Sequence, residues 1–252
     1  MPVDATTATQ ADDASVVVVI PTYNERENIE GIIRGVLGLG SRFRVLIVDD
    51  NSPDGTAEIV TALAGEFPDR VELLSREKKE GIGRAYVAGF GRALDMGPGL
   101  IAQMDADFSH LPDDLSRLVG LADGYDLVLA SRYVEGGKTI GWPWHRKLIS
   151  RFGGIYAGLI LGVPIKDLTG GFKVWRPEVL RSIELSSIHS DGYCFQIETT
   201  YRAIQKGASY TQAPITFVDR VAGKSKLSRR VVFEAMVLPW NLRLRKLLGR
   251  PW

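Results

Sequence analysis

Apolar and polar residues follow one another along this chain in short blocks whose lengths separate strands from helices. Five apolar runs rich in β-branched residues have the length of buried strands: 16–20, 45–48, 71–74, 100–104 and 127–130. Four stretches between them carry apolar residues three and four positions apart, as helices do: 29–37, 56–67, 85–94 and 115–121. Strands and helices that alternate at this spacing predict an α/β fold, with a mostly parallel central sheet and helices on both faces.

The alternation weakens after residue 131. Two further helices are predicted over 146–161 and 194–206, followed by a basic amphipathic segment over 226–248. Because proline breaks or kinks a helix, Pro239 predicts two short helices in that segment. The predicted organisation has three parts: a disordered tail (1–14), one α/β catalytic domain (15–225) and a basic amphipathic C-terminal extension (226–252).

Composition narrows the class of protein. The net charge of +1 argues against a dedicated nucleic-acid binder, and the single cysteine, Cys194, fits a reducing compartment. The first residues lack the basic and apolar regions of a signal peptide. No apolar stretch reaches the ~18 residues of a transmembrane helix, since the longest, 155–165, is shorter and contains two glycines and a proline. We therefore expect a chain that does not cross a membrane by itself.

Positive charge is concentrated at the end of the chain. Residues 219–252 carry nine Lys or Arg against two acidic residues, a charge of +7 in a chain whose total is +1. Basic amphipathic helices that contain tryptophan suit the surface of an anionic membrane. Packing of the apolar side against the domain is the alternative interpretation.

Polar segments follow three of the predicted strands, at 21–25, 49–56 and 105–107. Ligands of open α/β sheets bind at the carboxyl ends of strands, so these segments predict a polar ligand at one edge of the sheet. Asp105 and Asp107 are separated by one small residue, and such carboxylates suit Mg²⁺ or Mn²⁺. Two exposed turn aspartates are the alternative. A P-loop is absent from the sequence, and Gly81-Ile82-Gly83 lacks the spacing of a dinucleotide-binding motif.

These segments resemble the family-2 glycosyltransferases of the GT-A fold. Four further motifs narrow the resemblance: 131–133 (SRY), 167–173 (DLTGGFK), Gly192-Tyr193 with Glu198, and Asp219-Arg220 with 223–226 (GKSK). In this order and spacing the seven motifs, over 16–227, are similar to the dolichol- or polyprenol-phosphate mannose synthases.

The resemblance implies inverting transfer of mannose from GDP-mannose to a polyprenyl monophosphate, giving a β-linked mannosyl phosphate. It implies nucleotide contacts for Pro21, Tyr23, Glu25, Asp50, Asp105, Ala106 and Lys226. It implies that Asp105 and Asp107 hold Mg²⁺ or Mn²⁺, and that Arg132 and Arg146 bind the acceptor phosphate. Asp107, Arg132 and Arg220 are the implied catalytic residues, with Arg220 and Lys226 closing on the donor diphosphate. A phosphate nucleophile is already ionised at pH 7, so we expect no strong general base.

Some features leave alternatives open. Relatives often carry a metal-binding Gln where this chain has Ser109, so a water or His110 is the alternative third ligand. UDP-glucose or another nucleotide sugar is the alternative donor, and a non-catalytic nucleotide-sugar-binding protein is the alternative from another class. A sugar-1-phosphate nucleotidyltransferase fits less well, because its N-terminal Gly-rich loop is absent. The resemblance further implies a short form, peripheral on the cytoplasmic face of a membrane, with a separate membrane-anchor protein as a possible partner.

Overall fold

A computed structural model describes residues 14–219, 229–250 and 252 of the chain. Its strands are β1 (Val16–Thr22), β2 (Phe43–Asp49), β3 (Val71–Ser75), β4 (Leu100–Gln103), β5 (Leu127–Ser131), β6 (Lys138–Ile140), β7 (Lys173–Trp175), β8 (Tyr210–Pro214) and β9 (Thr216–Val218). Its α-helices are α1 (Ile29–Gly38), α2 (Thr56–Glu66), α3 (Ile82–Asp95), α4 (Pro112–Leu121), α5 (Trp144–Leu161), α6 (Pro177–Ser182), α7 (Gly192–Gln205) and α8 (Arg229–Leu247). A short 3₁₀-helix covers Leu185–Ser187. The five predicted strands and the four helices between them are confirmed.

Seven strands form the central sheet in the order β3-β2-β1-β4-β7-β5-β8. All neighbouring pairs are parallel except those of β7, which runs antiparallel to both β4 and β5. Lys173, the first residue of β7, pairs with Gln103 and with Leu129. The segment that enters β7 therefore reaches the edge of the sheet at which β4 and β5 end. The short strands β6 and β9 form a separate parallel pair.

The sheet is covered by helices on both faces, as predicted. Val16, Val18 and Ile20 of β1 point into one apolar cluster, which α1, α2 and α4 complete. Val17 and Val19 point into a second cluster with α3, α5 and α7. Because side chains of a strand alternate between its faces, a run of five buried β-branched residues requires apolar layers on both sides.

Helix α3 approaches the sheet very closely at Gly89. A Cβ atom at this position would lie 2.5 Å from Val19 Cγ1 and 2.8 Å from Val48 Cγ2. The glycine therefore sets the distance between α3 and strands β1 and β2. Cys194 of α7 is also buried, with 1% of its surface exposed.

Helix α8 is continuous through Pro239, so the prediction of two short helices was wrong. Contacts with α5 hold both halves: Tyr156 Oη donates to the Met236 carbonyl (2.9 Å), and Arg243 Nη1 donates to the Leu161 carbonyl (3.5 Å). Tertiary contacts on both sides of the proline offset the lost backbone hydrogen bond.

No helix in the described part of the chain has both the length and the apolar character to span a bilayer. The predicted disordered tail lies outside the described residues except for residue 14, as do the first three residues of the predicted extension. The boundaries of the tail, the domain and the extension stay predictions.

Candidate active site

A cavity of about 370 Å³ opens at the carboxyl edge of the sheet, between the ends of β1 and β2 and the first turns of α3 and α7. Five of the residues predicted to contact the nucleotide line it together: Pro21, Tyr23, Glu25, Asp50 and Asp105. We name this space the donor cavity. Its position confirms that the polar segments after β1, β2 and β4 meet at one edge.

Two aspartates in these segments, Asp49 and Asp54, make hydrogen bonds within the loops. Asp49 accepts hydrogen bonds from Thr22 Oγ1 (2.8 Å) and from the backbone and hydroxyl of Ser52 (2.8 and 2.6 Å). Asp54 accepts from the backbone N–H groups of Thr56 (3.0 Å) and Arg26 (3.1 Å), so it ties the start of α2 to the loop after β1. Both side chains therefore stabilise turns, whereas Asp50 lines the donor cavity.

Asp50 and Tyr23 each have a basic neighbour in the donor cavity. Burial raises the pKa of Asp50, and the Arg76 guanidinium, 2.5 Å away, offsets only part of that rise. The ammonium group of Lys79 lies 3.5 Å from the centroid of the Tyr23 ring. Lys79 therefore covers that face of the ring.

A second, smaller cavity of about 60 Å³ lies beside the first. Its lining includes Arg132 and Arg146, the two arginines predicted to bind the acceptor. Arg132 donates from Nε and Nη2 to the two carboxylate oxygens of Asp167 (2.7 and 2.6 Å), and Nη2 also donates to Thr169 Oγ1 (3.0 Å). Burial disfavours the charged guanidinium, but the Asp167 carboxylate outweighs it and the pKa of Arg132 is raised. We name this space the basic cavity.

Arg146 completes the basic cavity from the first turn of α5. Its Nη1 donates to Asp219 (2.8 Å), and its guanidinium lies 4.2 Å from the centroid of the Trp142 ring. The Arg132 guanidinium lies 5.3 Å from the ring centroids of Trp142 and of Phe217. Each arginine is thus held by a carboxylate and by at least one aromatic ring, which leaves little freedom of orientation.

The two cavities share a wall formed by four residues, which are Asp105, Thr169, Gly171 and Tyr193. The Asp105 carboxylate accepts a hydrogen bond from Tyr86 Oη (3.1 Å), and its backbone N–H donates to His110 Nδ1 (3.1 Å). Burial lowers the pKa of His110, so the neutral imidazole can accept this bond. Asp105 is therefore fixed at the boundary between the donor cavity and the basic cavity.

Asp107 and Ala106 do not line either cavity. Ala106 is buried in the first apolar cluster. Asp107 Oδ1 accepts from the backbone N–H of Ser109 (3.1 Å), across Phe108, whose φ of 58° is unusual for a bulky residue. Arg220 and Lys226 lie outside the described residues.

His110 and Ser109 bear on the open question of a third metal ligand. Nδ1 of His110 is engaged by the Asp105 backbone, and the ring stacks on Phe172 with centroids 4.8 Å apart. Ser109 Oγ is buried without a hydrogen-bond partner. Among the residues described, no three His, Cys, Asp or Glu side chains are grouped to hold a metal. The Asp105 carboxylate, lining both cavities, offers the hard oxygen ligands that suit Mg²⁺ or Mn²⁺.

Sequence reasoning missed a buried amide and amine beneath the shared wall. Gln196 Oε1 accepts from Lys173 Nζ (2.8 Å) and from Gln103 Nε2 (2.8 Å). Gln196 lines the donor cavity, and its Nε2 lies near the shared wall, 3.5 Å from where a Cβ at Gly171 would stand. A lysine inside the apolar run Phe172–Trp175 was the available signal.

Comparison with known proteins agrees with this geometry. A family model described as "Glycosyl transferase family 2" matches residues 17–184. The "Polyprenol monophosphomannose synthase" of Mycolicibacterium smegmatis is 47% identical over 231 residues, which are 90% of this chain and 87% of that protein. The "Undecaprenyl-phosphate mannosyltransferase" of Micrococcus luteus is 42% identical over 232 residues, 91% of this chain and 95% of that protein. The resemblance drawn from the seven motifs is confirmed.

Solved structures agree on the fold. Glucosyl-3-phosphoglycerate synthase from Mycobacterium tuberculosis, in complex with Mn²⁺, UDP and glucosyl-3-phosphoglycerate, superposes with a TM-score of 0.64 at 20% identity, covering 96% of this chain and 82% of that one. A second structure of the same synthase, in complex with UDP, gives a TM-score of 0.65 at 21% identity, covering 96% of this chain and 82% of that one. The GT-A fold is confirmed, and the chain belongs to glycosyl transferase family 2.

Proposed function

We propose that this glycosyltransferase moves mannose from GDP-mannose to a polyprenyl monophosphate, giving polyprenyl phosphate β-mannose and GDP. The observation that carries the proposal is the wall shared by the donor cavity and the basic cavity, with Asp105 in it. A sugar nucleotide in one space and an anionic acceptor in the other would meet at that wall. The names of the two relatives, which specify polyprenyl acceptors and mannosyl transfer, support this choice of substrates.

On the donor side, Asp50 and Glu25 would accept hydrogen bonds from ribose hydroxyls or base N–H groups, and Pro21 and Tyr23 would contact the base. Asp105 would hold Mg²⁺ or Mn²⁺, with Asp107 following it in the same loop. The cation would neutralise charge on the departing GDP. The Mn²⁺ complex of the synthase with the same fold supports a divalent ion.

On the acceptor side, Arg132 and Arg146 would bind the phosphate and direct one of its oxygens at C1 of the sugar. A bond from that oxygen to C1 forms as the bond from C1 to the β-phosphate oxygen breaks, which inverts the configuration. The acceptor is ionised at pH 7, so the chain's contribution is position and charge. Arg220 and Lys226 stay predictions for the donor diphosphate.

UDP-glucose remains the alternative donor, because carboxylates that bind ribose do not distinguish guanine from uracil. A membrane surface is the proposed place of action, because the acceptor carries a lipid chain. The cytoplasmic side of that membrane and a separate anchor protein stay predictions.

The test is to supply purified protein with polyprenyl phosphate, Mg²⁺ or Mn²⁺, and labelled GDP-mannose or UDP-glucose. We expect label in the organic phase from GDP-mannose only, and its loss in Asp105→Asn, with exposed Asp123→Asn as the matched control. Transfer from UDP-glucose alone would support the alternative donor. Binding of GDP-mannose without transfer under any of these conditions would support the non-catalytic alternative.

A further inference from the structure

Gln196 of α7 lies at a border of the donor cavity to which the proposed function gives no role. The residue lines the cavity, although only 5% of its surface is exposed. Tyr193, one helical turn earlier, belongs to the shared wall, so this face of α7 approaches the place where the two cavities meet. A buried polar side chain at such a place needs a partner for each of its polar atoms.

The orientation of the Gln196 amide is set by its neighbours inside the protein. Its Oε1 accepts from Lys173 Nζ (2.8 Å) and from Gln103 Nε2 (2.8 Å). Lys173 Nζ also donates to the backbone carbonyl of Gln196 (3.0 Å). An ammonium group only donates, so the amide atom that meets it must be the oxygen and not the nitrogen. The amide nitrogen is therefore the atom left for another partner.

Nε2 of Gln196 has no acceptor within the part of the chain that the structure describes. It lies 3.5 Å from the position that a Cβ at Gly171 would take, and both carboxylate oxygens of Asp105 lie 3.7 Å from that same position. The absent side chain of Gly171 thus leaves a space that the amide and the carboxylate both border. This space lies at the shared wall, to which Gly171 and Asp105 belong.

The chemistry of the donor indicates which of its groups would occupy this space. Asp105 would hold the cation that binds the diphosphate, and the acceptor would approach from the basic cavity beyond the wall. The part of a sugar nucleotide that lies between its diphosphate and the acceptor is the sugar, because C1 is the atom attacked. A neutral N–H group suits the oxygen of a sugar hydroxyl, whereas phosphate oxygens are bound most strongly by charged donors.

We propose that Gln196 binds a hydroxyl of the donor sugar through Nε2, and that Lys173 is a positioning residue, which holds the amide in the orientation this contact needs. The inference rests on the proposed function for the sugar nucleotide and not for the acceptor.

The test compares the affinities of GDP-mannose and of GDP, measured by isothermal titration calorimetry with Mg²⁺ or Mn²⁺ and without acceptor. Gln196→Met should weaken GDP-mannose binding about threefold to tenfold, the loss of one neutral hydrogen bond. GDP binding should not change, because GDP lacks the mannose. Gln205→Met is the matched control at the end of the same helix, in a residue that lines neither cavity, and should bind both ligands like wild type. Equal weakening of both ligands by Gln196→Met would overturn the proposal.

Lys173→Met tests the positioning role. This variant should also weaken the binding of GDP-mannose and not that of GDP. The double variant Lys173→Met/Gln196→Met should bind GDP-mannose no more weakly than Gln196→Met, because the lysine acts through the amide. It also leaves no buried ammonium group without its acceptor, so it replaces Gln196→Met if that variant does not fold. Losses that add up in the double variant would refute the role of Lys173.

Analogues of GDP-mannose that each lack one hydroxyl identify the group bound. One analogue should bind wild type and Gln196→Met with the same affinity, because the hydroxyl that the amide contacts is missing from it. A difference between the two proteins that persists with every analogue would overturn the contact with the sugar.

The same measurements separate this inference from the proposed function. A wild type that binds GDP-mannose and never transfers its sugar would refute the proposed function, while selective weakening by Gln196→Met would still support the contact. A wild type that transfers mannose, with a Gln196→Met variant that binds GDP-mannose normally, would refute the contact alone. If UDP-glucose is the donor, UDP-glucose and UDP take the places of GDP-mannose and GDP.

Discussion

Lys173 brings an amine into the interior of the sheet, where burial lowers its pKa to about 7. Its hydrogen bonds to the Gln196 carbonyl (3.0 Å) and side chain (2.8 Å) orient the amide that faces the donor cavity. At the residue scale, the site therefore depends on a buried amine that itself lines neither cavity.

Replacing Lys173 with Met should change how stability depends on pH. The lysine pKa is near 10.5 when the chain is unfolded and about 7 when it is folded. Between these values only the unfolded state binds the proton, so the free energy of unfolding of the wild type gains up to ~1.4 kcal/mol per pH unit. Lys173→Met should remove that gain, measured by urea unfolding at pH 7.5 and 9. A variant with the wild-type slope would contradict the assignment, and exposed Lys166→Met serves as its control.

The pair of Arg132 and Asp167 should show non-additive stability. Asp167→Leu leaves a buried guanidinium without its carboxylate, at a cost of roughly 3–5 kcal/mol in the free energy of unfolding. The double variant Arg132→Met/Asp167→Leu should recover much of that loss, because no uncompensated charge remains. Additive losses in urea unfolding would mean that the two side chains are not coupled.

At the element scale, glycines decide how closely two of the helices approach their neighbours. Gly89 brings α3 onto β1 and β2, and Gly154 and Gly158 bring α5 onto the segment 163–168 that carries Asp167. A Cβ at Gly91, also in α3, would meet nothing within 4 Å. Gly89 and Gly91 therefore have opposite roles within α3.

Gly89→Ala and Gly91→Ala form a matched pair. Gly89→Ala should lower the free energy of unfolding by roughly 1–3 kcal/mol, because the methyl group overlaps Val19 and Val48. Gly91→Ala should raise it by roughly 0.5–1 kcal/mol, through the better helix propensity of alanine. Thermal unfolding of both variants measures the difference, and equal effects would contradict the close approach.

The strands and helices that could be predicted from the sequence are those with a long pattern of apolar residues of their own. The strands β1 to β5 and helices α1 to α4 have apolar runs or periods, and the residues after β1, β2 and β4 met as predicted. Strand β7, with three residues, has too short a pattern, and its direction is set by the neighbours it joins. The ion pair of Arg132 with Asp167 depends on this antiparallel strand, and so does the burial of Lys173. Neither could therefore be predicted from the sequence. The continuity of α8 through Pro239 depends on contacts with α5.

At the scale of the whole molecule, charge is separated. Residues 219–252 carry a net charge of +7, whereas the whole chain carries +1. Residues 1–218 therefore carry a net charge of −6. Such a distribution orients a protein with its basic end toward an anionic surface. Helices α5 and α8 also expose large apolar side chains, among them Phe152 and Trp240. Both helices contain basic residues, so charge and apolar surface favour the same orientation toward an anionic surface.

Transfer to an acceptor embedded in anionic vesicles should therefore fall as NaCl rises from 50 to 300 mM, because salt screens the attraction. Transfer to a water-soluble short-chain acceptor should change much less over that range. Initial rates with the two acceptors at each salt concentration provide the measurement. An equal decline of the rates with both acceptors would mean that salt acts on the active site and not on the approach to the vesicle.

The burial of Cys194 has a practical consequence for spectroscopy. It is the chain's single cysteine, and burial raises the pKa of its thiol to about 12, so maleimide reagents will react with it slowly. Gly124 precedes β5 at the end of the sheet away from the cavities, and a Cβ there would point into open space. A Gly124→Cys variant would therefore take one fluorophore at a defined position, from which distances to a labelled lipid could be followed as the enzyme arrives at a vesicle.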